Sequence, residues 1–489
     1  MVFCFSTIFI VVFSVKAIYF WPPLVKHASI LGACVLPAGM VALGQAPVWL
    51  QTRKVPKEVL WVLTILVLGL ISTTLSTSRW ATLKSTTLFL FSGPFVFIIS
   101  RHLFESKPRR DLFLWMASLG MLSLAIFGMY EHIYLLTHSW AIGIQLLSRN
   151  PLPGGTLLML LSAFPLILLG QTRSPYIKFL LIVTLLLSAL ILILLIKKTH
   201  IFSLIIIFLS LIILIGRNCL KYCLGFIVVM AVVFYFSDAT RIRYEGMLGF
   251  KVPEILLANP ETNNAPHKPK QSGDQVTPNA SGSDTVELNS NQAGLEDSVT
   301  DTENRSRTDA DGESAPQTYE SPAENIAVTG SFSIRLENYF FALSIFKEHP
   351  VWGIGFKADL SPYLDQYEMH FPERLSKEHY TNFINLHKTF ENIILAFTVE
   401  MGALFTVTYF SGMLYIIFLS MKDLYNAPQR NFPKLIIASI LVGFVFSSMT
   451  YDTLRYPNLN WIFHSMLGFL ASLPRSPDLD SHAKSDTNN

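Results

Sequence analysis

The sequence has few charged residues and few cysteines. Only 15% of its 489 residues are charged, whereas about 25% are charged in an average soluble chain. This shortage argues against an ordinary soluble enzyme. No C-x-x-C pair and no histidine at ligand spacing accompanies the four cysteines, so we expect small core residues rather than disulfides or metal ligands. They lie in or beside apolar segments, at Cys4, Cys34, Cys219 and Cys223.

Long apolar runs are what the sequence has in excess. Hydrophobic residues make up 51% of the chain, and runs of about 17 to 25 such residues indicate membrane spans. Nine runs precede residue 240, and they cover 3–20, 28–50, 58–78, 84–100, 111–131, 154–171, 177–196, 201–216 and 219–237. Three follow, at 391–420, 433–451 and 459–474. The sequence therefore predicts an all-α integral membrane protein with about twelve transmembrane helices. Because four residues separate 177–196 from 201–216, a count that differs by one span is the alternative.

The distribution of basic residues predicts the orientation of these spans. Lys and Arg in short loops favour the cytoplasm. With a cytoplasmic N-terminus, the inside loops and the tail hold 16 Lys and Arg, and the short outside loops hold 7. Both termini are therefore expected in the cytoplasm, with spans 1–9 in residues 1–237, a tail at 475–489, and one large periplasmic loop between helices 9 and 10, at 238–390. The first run has neither a basic start nor a small-residue cleavage site, which favours a retained helix.

The middle of the large loop is acidic and polar. Residues 261–324 contain 13 acidic and 4 basic residues. Such a stretch cannot bury enough apolar area to become ordered, so it predicts a disordered insertion at about 261–328. The rest of the chain then carries a net charge of +12, which suits an anionic lipid-linked group. Anchoring at the cytoplasmic surface is the alternative explanation for most of this charge.

An apolar periodicity returns after the insertion and predicts an amphipathic helix over 333–349, on the outer membrane boundary and ended by Pro350. Its apolar positions are Leu336, Tyr339, Phe340, Leu343 and Phe346. Arg335 falls in the first turn of this helix, where a cation meets the positive end of the helix dipole. A phosphate bound there by Arg335 and the free N–H groups would explain that placement. The alternative is a solvated surface arginine.

The residues that follow carry a resemblance. The segments Pro350-Val-Trp-Gly-Ile-Gly-Phe356, His387-Lys-Thr-Phe-Glu391 and Glu400-Met-Gly402 resemble the O-antigen ligase family of membrane glycosyltransferases. The superfamily also contains lipid-linked polysaccharide polymerases and protein O-oligosaccharyltransferases. The resemblance covers the topology and the block 333–402, and Arg149-Asn-Pro-Leu-Pro-Gly-Gly155 looks like the family's start of the sixth span. Two departures stand out: Lys388 replaces the usual Asn after the loop histidine, and the interval to Glu400 is longer by about one helical turn.

The resemblance implies transfer of a glycan from undecaprenyl diphosphate to a hydroxyl of the lipid A-core, on the periplasmic face of the bacterial inner membrane. This reaction needs stabilisation of the departing diphosphate and removal of a proton from the acceptor. Arg335 is the first candidate for the diphosphate, because a guanidinium binds phosphate oxygens bidentately. Arg243 and its neighbour Arg241 are the second, with interfacial anchoring as the alternative. The implied partners are this donor, the lipid A-core acceptor and membrane lipids.

His387 is the candidate general base, since the pKa of an unperturbed histidine is about 6.5. The same loop also contains His349, His370 and His379, so the sequence does not isolate His387. Lys388 and Glu391 lie beside it as possible supporting residues. No zinc-type spacing and no D-x-D repeat occurs, so we expect transfer without a metal or another cofactor.

Further candidates lie at the outer ends of the spans. Glu400 is expected about two turns into the tenth span, where a carboxylate is costly; a structural hydrogen bond is the alternative role. Arg149 and Arg455 are candidate donor-binding residues because both face the outer leaflet. Asp452 could contact the sugar or the diphosphate. Asp452 and Arg455 could equally pair with each other, because they are three positions apart.

Several functions compete with the ligase. Polymerases often have Arg-rich motifs in two periplasmic loops, whereas this chain has one large loop, which favours the ligase. A protein O-oligosaccharyltransferase remains open. A twelve-span transporter commonly has two similar halves with substrate charges at mid-membrane, whereas here the polar residues cluster at the outer face. No basic stretch interleaved with aromatics supports binding of nucleic acid.

Overall fold

The computed structural model describes residues 56–76, 78–138, 151–195, 200, 203–207, 209–210, 224, 228, 323–373, 375–387, 389–426 and 432–473. Within these ranges the secondary structure is helical and contains no strand. We label its helices α1 (Lys57–Leu75), α2 (Arg79–Ser92), α3 (Pro94–Leu103), α4 (Lys107–His138), α5 (Pro151–Leu161), α6 (Ala163–Gln171), α7 (Pro175–Leu194), α8 (Ala323–Glu348), α9 (Ser361–Gln366), α10 (Lys377–His387), α11 (Ile393–Glu400), α12 (Gly402–Asn426), α13 (Phe432–Ser448) and α14 (Pro457–Ser472).

Six helical stretches in this part of the chain are long and apolar enough to cross a membrane. They are Lys57–Leu75, Arg79–Leu103, Lys107–Ile133, Leu152–Gln171, Pro175–Leu194 and Gly402–Lys422. The expectation of an all-helical architecture with membrane-type apolar helices is therefore confirmed for the described residues. The predicted spans 433–451 and 459–474 correspond to shorter helices, α13 and α14, of 17 and 16 residues. The predicted spans 3–20, 28–50, 201–216 and 219–237 lie wholly or mostly outside the described residues, so the count of twelve and the orientation stay predictions.

The second stretch is kinked where α2 meets α3. Pro94 has no backbone N–H, so α2 cannot continue through it without losing a hydrogen bond. Asn460 of α14 lies against the kink and donates from Nδ2 to the Phe89 carbonyl (2.8 Å) and to Ser92 Oγ (2.9 Å). A Cβ on Gly93 would lie 2.5 Å from the Asn460 side chain. The kink thus lets α14 pack closely and satisfy polar groups that an apolar surrounding would leave unpaired.

The predicted span 391–420 is wrong as a continuous helix, because it is divided between Glu400 and Gly402. Gly402 has a φ of +83°, a left-handed conformation that glycine adopts without steric cost. A Cβ at Gly402 would lie 2.0 Å from the carbonyl oxygen of Val351. Both sides of the break are apolar, which is why hydropathy alone predicts one span. Glu400 therefore ends a short helix and does not lie within a long one.

The turn formed by residues 350–357 packs into this break. The N–H of Ile354 donates to the Val399 carbonyl (3.0 Å), and the N–H of Gly355 donates to the Glu400 carbonyl (2.7 Å). These bonds satisfy helix-end carbonyls that would otherwise lack partners. The Pro-Val-Trp-Gly-Ile-Gly motif is therefore the segment that closes the end of α11.

Helix α8 begins at Ala323, ten residues before the start expected from periodicity. Its first six residues belong to the segment predicted as a disordered insertion; the rest of 261–328 lies outside the described residues. Arg335 consequently lies in the interior of α8. The expectation that it shares a phosphate with the free N–H groups of a first turn is wrong, because those groups belong to residues far from it in the helix.

Two faces of α8 have different surroundings. Tyr339 and Leu343, from the predicted apolar face, are 48% and 46% exposed, whereas Phe341 and Ile345 on the other side are buried. The buried face also contains Glu337 and Asn338. Because these two polar residues interrupt its apolar periodicity, the buried face is not recognised from hydropathy. The sequence therefore identifies only the outward apolar face.

Candidate functional site

A buried arginine joins the ends of two helices. Arg455 closes a short 3-10 turn, Thr453–Arg455, between α13 and α14. Its Nη2 lies 3.0 Å from Glu400 Oε1, and its Nη1 lies 3.2 Å from Asp452 Oδ2. The side chains of Arg455 and Glu400 are 8% and 1% exposed. Buried charges persist only when they are paired and hydrogen-bonded, and here each has a partner. We call Glu400, Asp452 and Arg455 the buried ion cluster.

The buried ion cluster holds two further segments. The hydroxyl of Thr389 donates to Asp452 Oδ2, and the N–H of Glu391 donates to Thr389 Oγ1 (3.2 Å). The N–H of Lys357 donates to Glu400 Oε2 (3.0 Å), and Lys357 Nζ donates to the Arg455 carbonyl (3.4 Å). The 350–357 turn, the 389–392 segment and the 452–455 turn therefore meet at one cluster of charges.

Helix α8 adds Arg335 to this arrangement. Arg335 Nε lies 3.7 Å from Glu391 Oε2, and the arginine side chain is 52% exposed. One helical turn further on, Tyr339 Oη accepts a hydrogen bond from Asn392 Nδ2 (3.1 Å). Asn392 is also the N-cap of α11, where its Oδ1 accepts from the N–H groups of the second and third helical residues. The start of α11 is thus fixed both to its own backbone and to α8.

Two residues at this site have an uncommon backbone conformation. Lys357 and Glu391 have φ values of +56° and +54°, and among the described residues they are the two non-glycine positions with positive φ. Such conformations are costly for residues with a Cβ and persist where surrounding contacts enforce them. Glu400 holds the N–H of Lys357 and Thr389 holds that of Glu391. The same network therefore supports both strained positions.

A second buried carboxylate organises the segment between the turn and α10. Glu337 of α8 is fully buried and accepts hydrogen bonds from Tyr367 Oη (2.6 Å) and from the N–H groups of His370 (2.8 Å) and Phe371 (3.2 Å). Burial raises the pKa of Tyr367, and its hydrogen bond to Glu337 raises it further. The phenol therefore stays protonated as a donor. His370 stacks on Phe340 with ring centroids 4.2 Å apart, so its packing and backbone bond fix this segment against α8.

The structure brings together five of the residues singled out from the sequence: Arg335, Glu391, Glu400, Asp452 and Arg455. The pairing of Asp452 with Arg455, the alternative to ligand binding, is the arrangement observed. His387 is the last residue of α10, and nothing beyond its backbone is described. The other candidates, Arg149, Arg241, Arg243 and Lys388, lie outside the described residues.

Sequence reasoning missed Lys357, Thr389 and Asn392. Asn392 had a usable signal, since an Asn immediately before an apolar helix is a common N-cap. Thr389 lies within the motif that begins at His387, but its contact with Asp452 spans 63 positions. Lys357 had no signal, because its contact with Glu400 spans 43 positions. Neither a protein-family model nor a curated protein matches this chain. Its helical membrane fold and its charged site at the helix ends are therefore the basis for any assignment of function, together with the motif resemblance.

Proposed function

We propose that the protein is an O-antigen ligase: a multi-pass glycosyltransferase of the bacterial inner membrane, with about twelve spans, cytoplasmic termini and a periplasmic active site. One observation supports this most directly. The motif segments that carry the resemblance extend over about fifty residues, yet Gly355, Glu391 and Glu400 belong to one connected network with Arg335 and Arg455. Motif residues that contact one another in this way are typical of a functional site, whereas residues that only stabilise separate parts of a fold need not meet.

Arg335 is an exposed cation of this network and is proposed to bind the donor diphosphate. Its contact with Glu391 is 3.7 Å long, whereas charge-assisted hydrogen bonds measure about 2.7 to 2.9 Å. A half-exposed, long ion pair contributes little stability. A phosphate can therefore replace Glu391 at small cost, and a planar guanidinium binds it through two parallel hydrogen bonds.

The proposed reaction is a displacement at the anomeric carbon of the donor glycan. A hydroxyl oxygen of the lipid A-core attacks the anomeric carbon of the glycan, and the bond from that carbon to the diphosphate oxygen breaks. Undecaprenyl diphosphate leaves with the bonding electron pair, and Arg335 stabilises its added charge. His387 takes the hydroxyl proton as general base. This route uses no metal or other cofactor.

The test is the lipopolysaccharide banding pattern of the native host after deletion of the gene. Loss of the whole ladder, with accumulation of carrier-linked polymer, is expected for a ligase. A surviving single-repeat band would instead identify a polymerase. An unchanged ladder would contradict both and favour a protein acceptor or a transporter.

Complementation then tests the two proposed catalytic residues. Arg335→Ala and His387→Ala are expected to abolish the ladder although both variants are expressed and inserted. Lys347→Ala, at an exposed cation in the last turn of the same helix, and His379→Ala, at an exposed histidine of α10, are the matched controls and should restore it. Full activity of both Arg335→Ala and His387→Ala would refute the assignment.

A further inference from the structure

Lys357 is an exposed cation whose backbone is held in a left-handed conformation. The turn that contains it has positive φ at Gly353 (+68°), Gly355 (+106°) and Lys357 (+56°). Glycine adopts this conformation without steric cost, and a lysine does not. A lysine at the third position therefore suggests that its side chain has a use, because strained residues tend to cluster at functional sites.

The buried ion cluster determines where this side chain is presented. Glu400 Oε2 accepts from the N–H of Lys357 at 3.0 Å, and the ammonium donates to the carbonyl of Arg455 at 3.4 Å. An ammonium has three donors, and on an exposed side chain it can exchange a contact with solvent for one with a phosphate oxygen. The side chain is exposed, whereas the neighbouring guanidinium of Arg455 is 8% exposed and contacts two carboxylates.

The distribution of charge in the network separates the role of Arg455 from the roles of Arg335 and Lys357. Glu400 and Asp452 carry two negative charges against one positive charge on Arg455, so the buried ion cluster has a net charge of −1. The guanidinium of Arg455 is thus occupied within the protein and cannot also neutralise a diphosphate. A diphosphate carries at least two negative charges, which a single cation does not neutralise, and each charge-assisted hydrogen bond adds affinity. Arg335 and Lys357 are the exposed cations at the two ends of the chain of contacts that runs through Glu391, Thr389 and the cluster.

We infer that Lys357 is a second phosphate-binding residue of the site, acting with Arg335 on the diphosphate of the donor. Arg455 is then a positioning residue, which holds the turn that presents Lys357. This inference rests on the proposed function, since it concerns the same donor. The competing explanation is that Lys357 serves only to neutralise the buried ion cluster.

Binding of farnesyl diphosphate to the full-length protein in detergent micelles tests the inference. Lys357→Asn removes the charge but keeps a residue that tolerates the left-handed conformation. It should weaken binding about tenfold or more, because a hydrogen bond to a charged group contributes that much to affinity. Lys357→Arg should remain within a few-fold of wild type, and Lys347→Asn, which removes a cation from the far end of α8, should leave the affinity unchanged.

Two further measurements separate this role from structural and nonspecific effects. Farnesol, which has the lipid chain without the phosphates, should bind wild type and Lys357→Asn equally. The melting temperature of Lys357→Asn should stay close to that of wild type, since the side chain is exposed.

Each contrary result overturns the inference in its own way. Equal affinity of wild type and Lys357→Asn for farnesyl diphosphate would refute the role of Lys357 and leave the proposed function standing. A large loss of melting temperature in Lys357→Asn would show that the lysine is a neutralising residue of the cluster. An equal loss of affinity in Lys347→Asn would mean general electrostatic attraction, and absence of binding by wild type would refute the proposed donor class itself.

Discussion

Replacing Arg455 with methionine should destabilise the protein strongly. The change keeps much of the side-chain volume but removes the charge between Glu400 and Asp452, whose side chains are 1% and 3% exposed. Two carboxylates would then lie buried near each other without the guanidinium that pairs with both. Removing one partner of a buried pair costs about 3 to 5 kcal/mol, and the mutual repulsion of the remaining carboxylates adds to that cost.

Arg335→Met is the matched control. It also removes an arginine that faces a carboxylate, but its partner Glu391 lies 3.7 Å away and the arginine is 52% exposed. Exposed ion pairs contribute about 0 to 1 kcal/mol. Arg335→Met should therefore unfold close to wild type, although the ligase proposal expects it to be inactive. The two variants thus separate a structural arginine from a proposed catalytic one.

A second substitution tests the stated cause. Glu400→Gln in the Arg455→Met background removes one of the two uncompensated charges and should recover part of the lost stability. The pair should show a coupling energy of about 1 kcal/mol or more, since contacting residues in one network couple at 0.5 to 3 kcal/mol. Thermal unfolding of the full-length protein in micelles is the assay, and shifts in melting temperature are converted to free-energy differences with the unfolding enthalpy of wild type. Equal melting temperatures for Arg455→Met and Arg335→Met would refute the reasoning.

Three further substitutions follow from the fold, and the same unfolding assay measures them. Gly402→Ala should cost more than about 2 kcal/mol, because φ is +83° and the new Cβ would meet the Val351 carbonyl; a stable variant would mean that the break between α11 and α12 is not as described. Tyr367→Phe should cost about 1 to 2 kcal/mol, since it removes a hydrogen bond to buried Glu337, and unchanged stability would contradict the burial of that carboxylate. Asn392→Ala should cost about 1 kcal/mol through loss of the N-cap, whereas Asn392→Asp should be tolerated.

Hydropathy was a good guide to where the membrane helices lie and a poor guide to where they break. Runs of apolar residues predict all six of the long helical stretches, because burial in lipid requires continuous apolar surface. The breaks at Gly93 and Gly402 depend instead on what packs against them, namely Asn460 in one case and the 350–357 turn in the other. The apolar periodicity of one helix cannot predict which distant segment packs against its break.

The buried face of α8 escaped prediction for a related reason. Glu337 and Asn338 are polar, so a hydrophobic pattern assigns them to solvent. Tyr367 and the backbone at His370 donate to Glu337, and Tyr380 donates to Asn338 Oδ1, and acceptors that are hydrogen-bonded in this way can be buried at little cost. Those partners are about 30 to 42 residues away in the sequence. Burial of a polar residue is therefore a property of its partners and not of its own sequence neighbourhood.

The charge pairing within the candidate site was also only partly predictable from the sequence. The contact between Asp452 and Arg455 spans three positions, so the sequence could raise it as an alternative. The contact between Arg455 and Glu400 spans 55 positions and joins a turn to the end of a broken helix, which no local pattern contains. An arginine at a helix end is a candidate phosphate ligand only if its charge is not already paired within the protein, and Arg455 is paired with two buried carboxylates. Burial thus separates the cations of the site: Arg455 is committed to two buried carboxylates, while the exposed Arg335 and Lys357 remain in contact with solvent, where the proposed anionic donor would meet them.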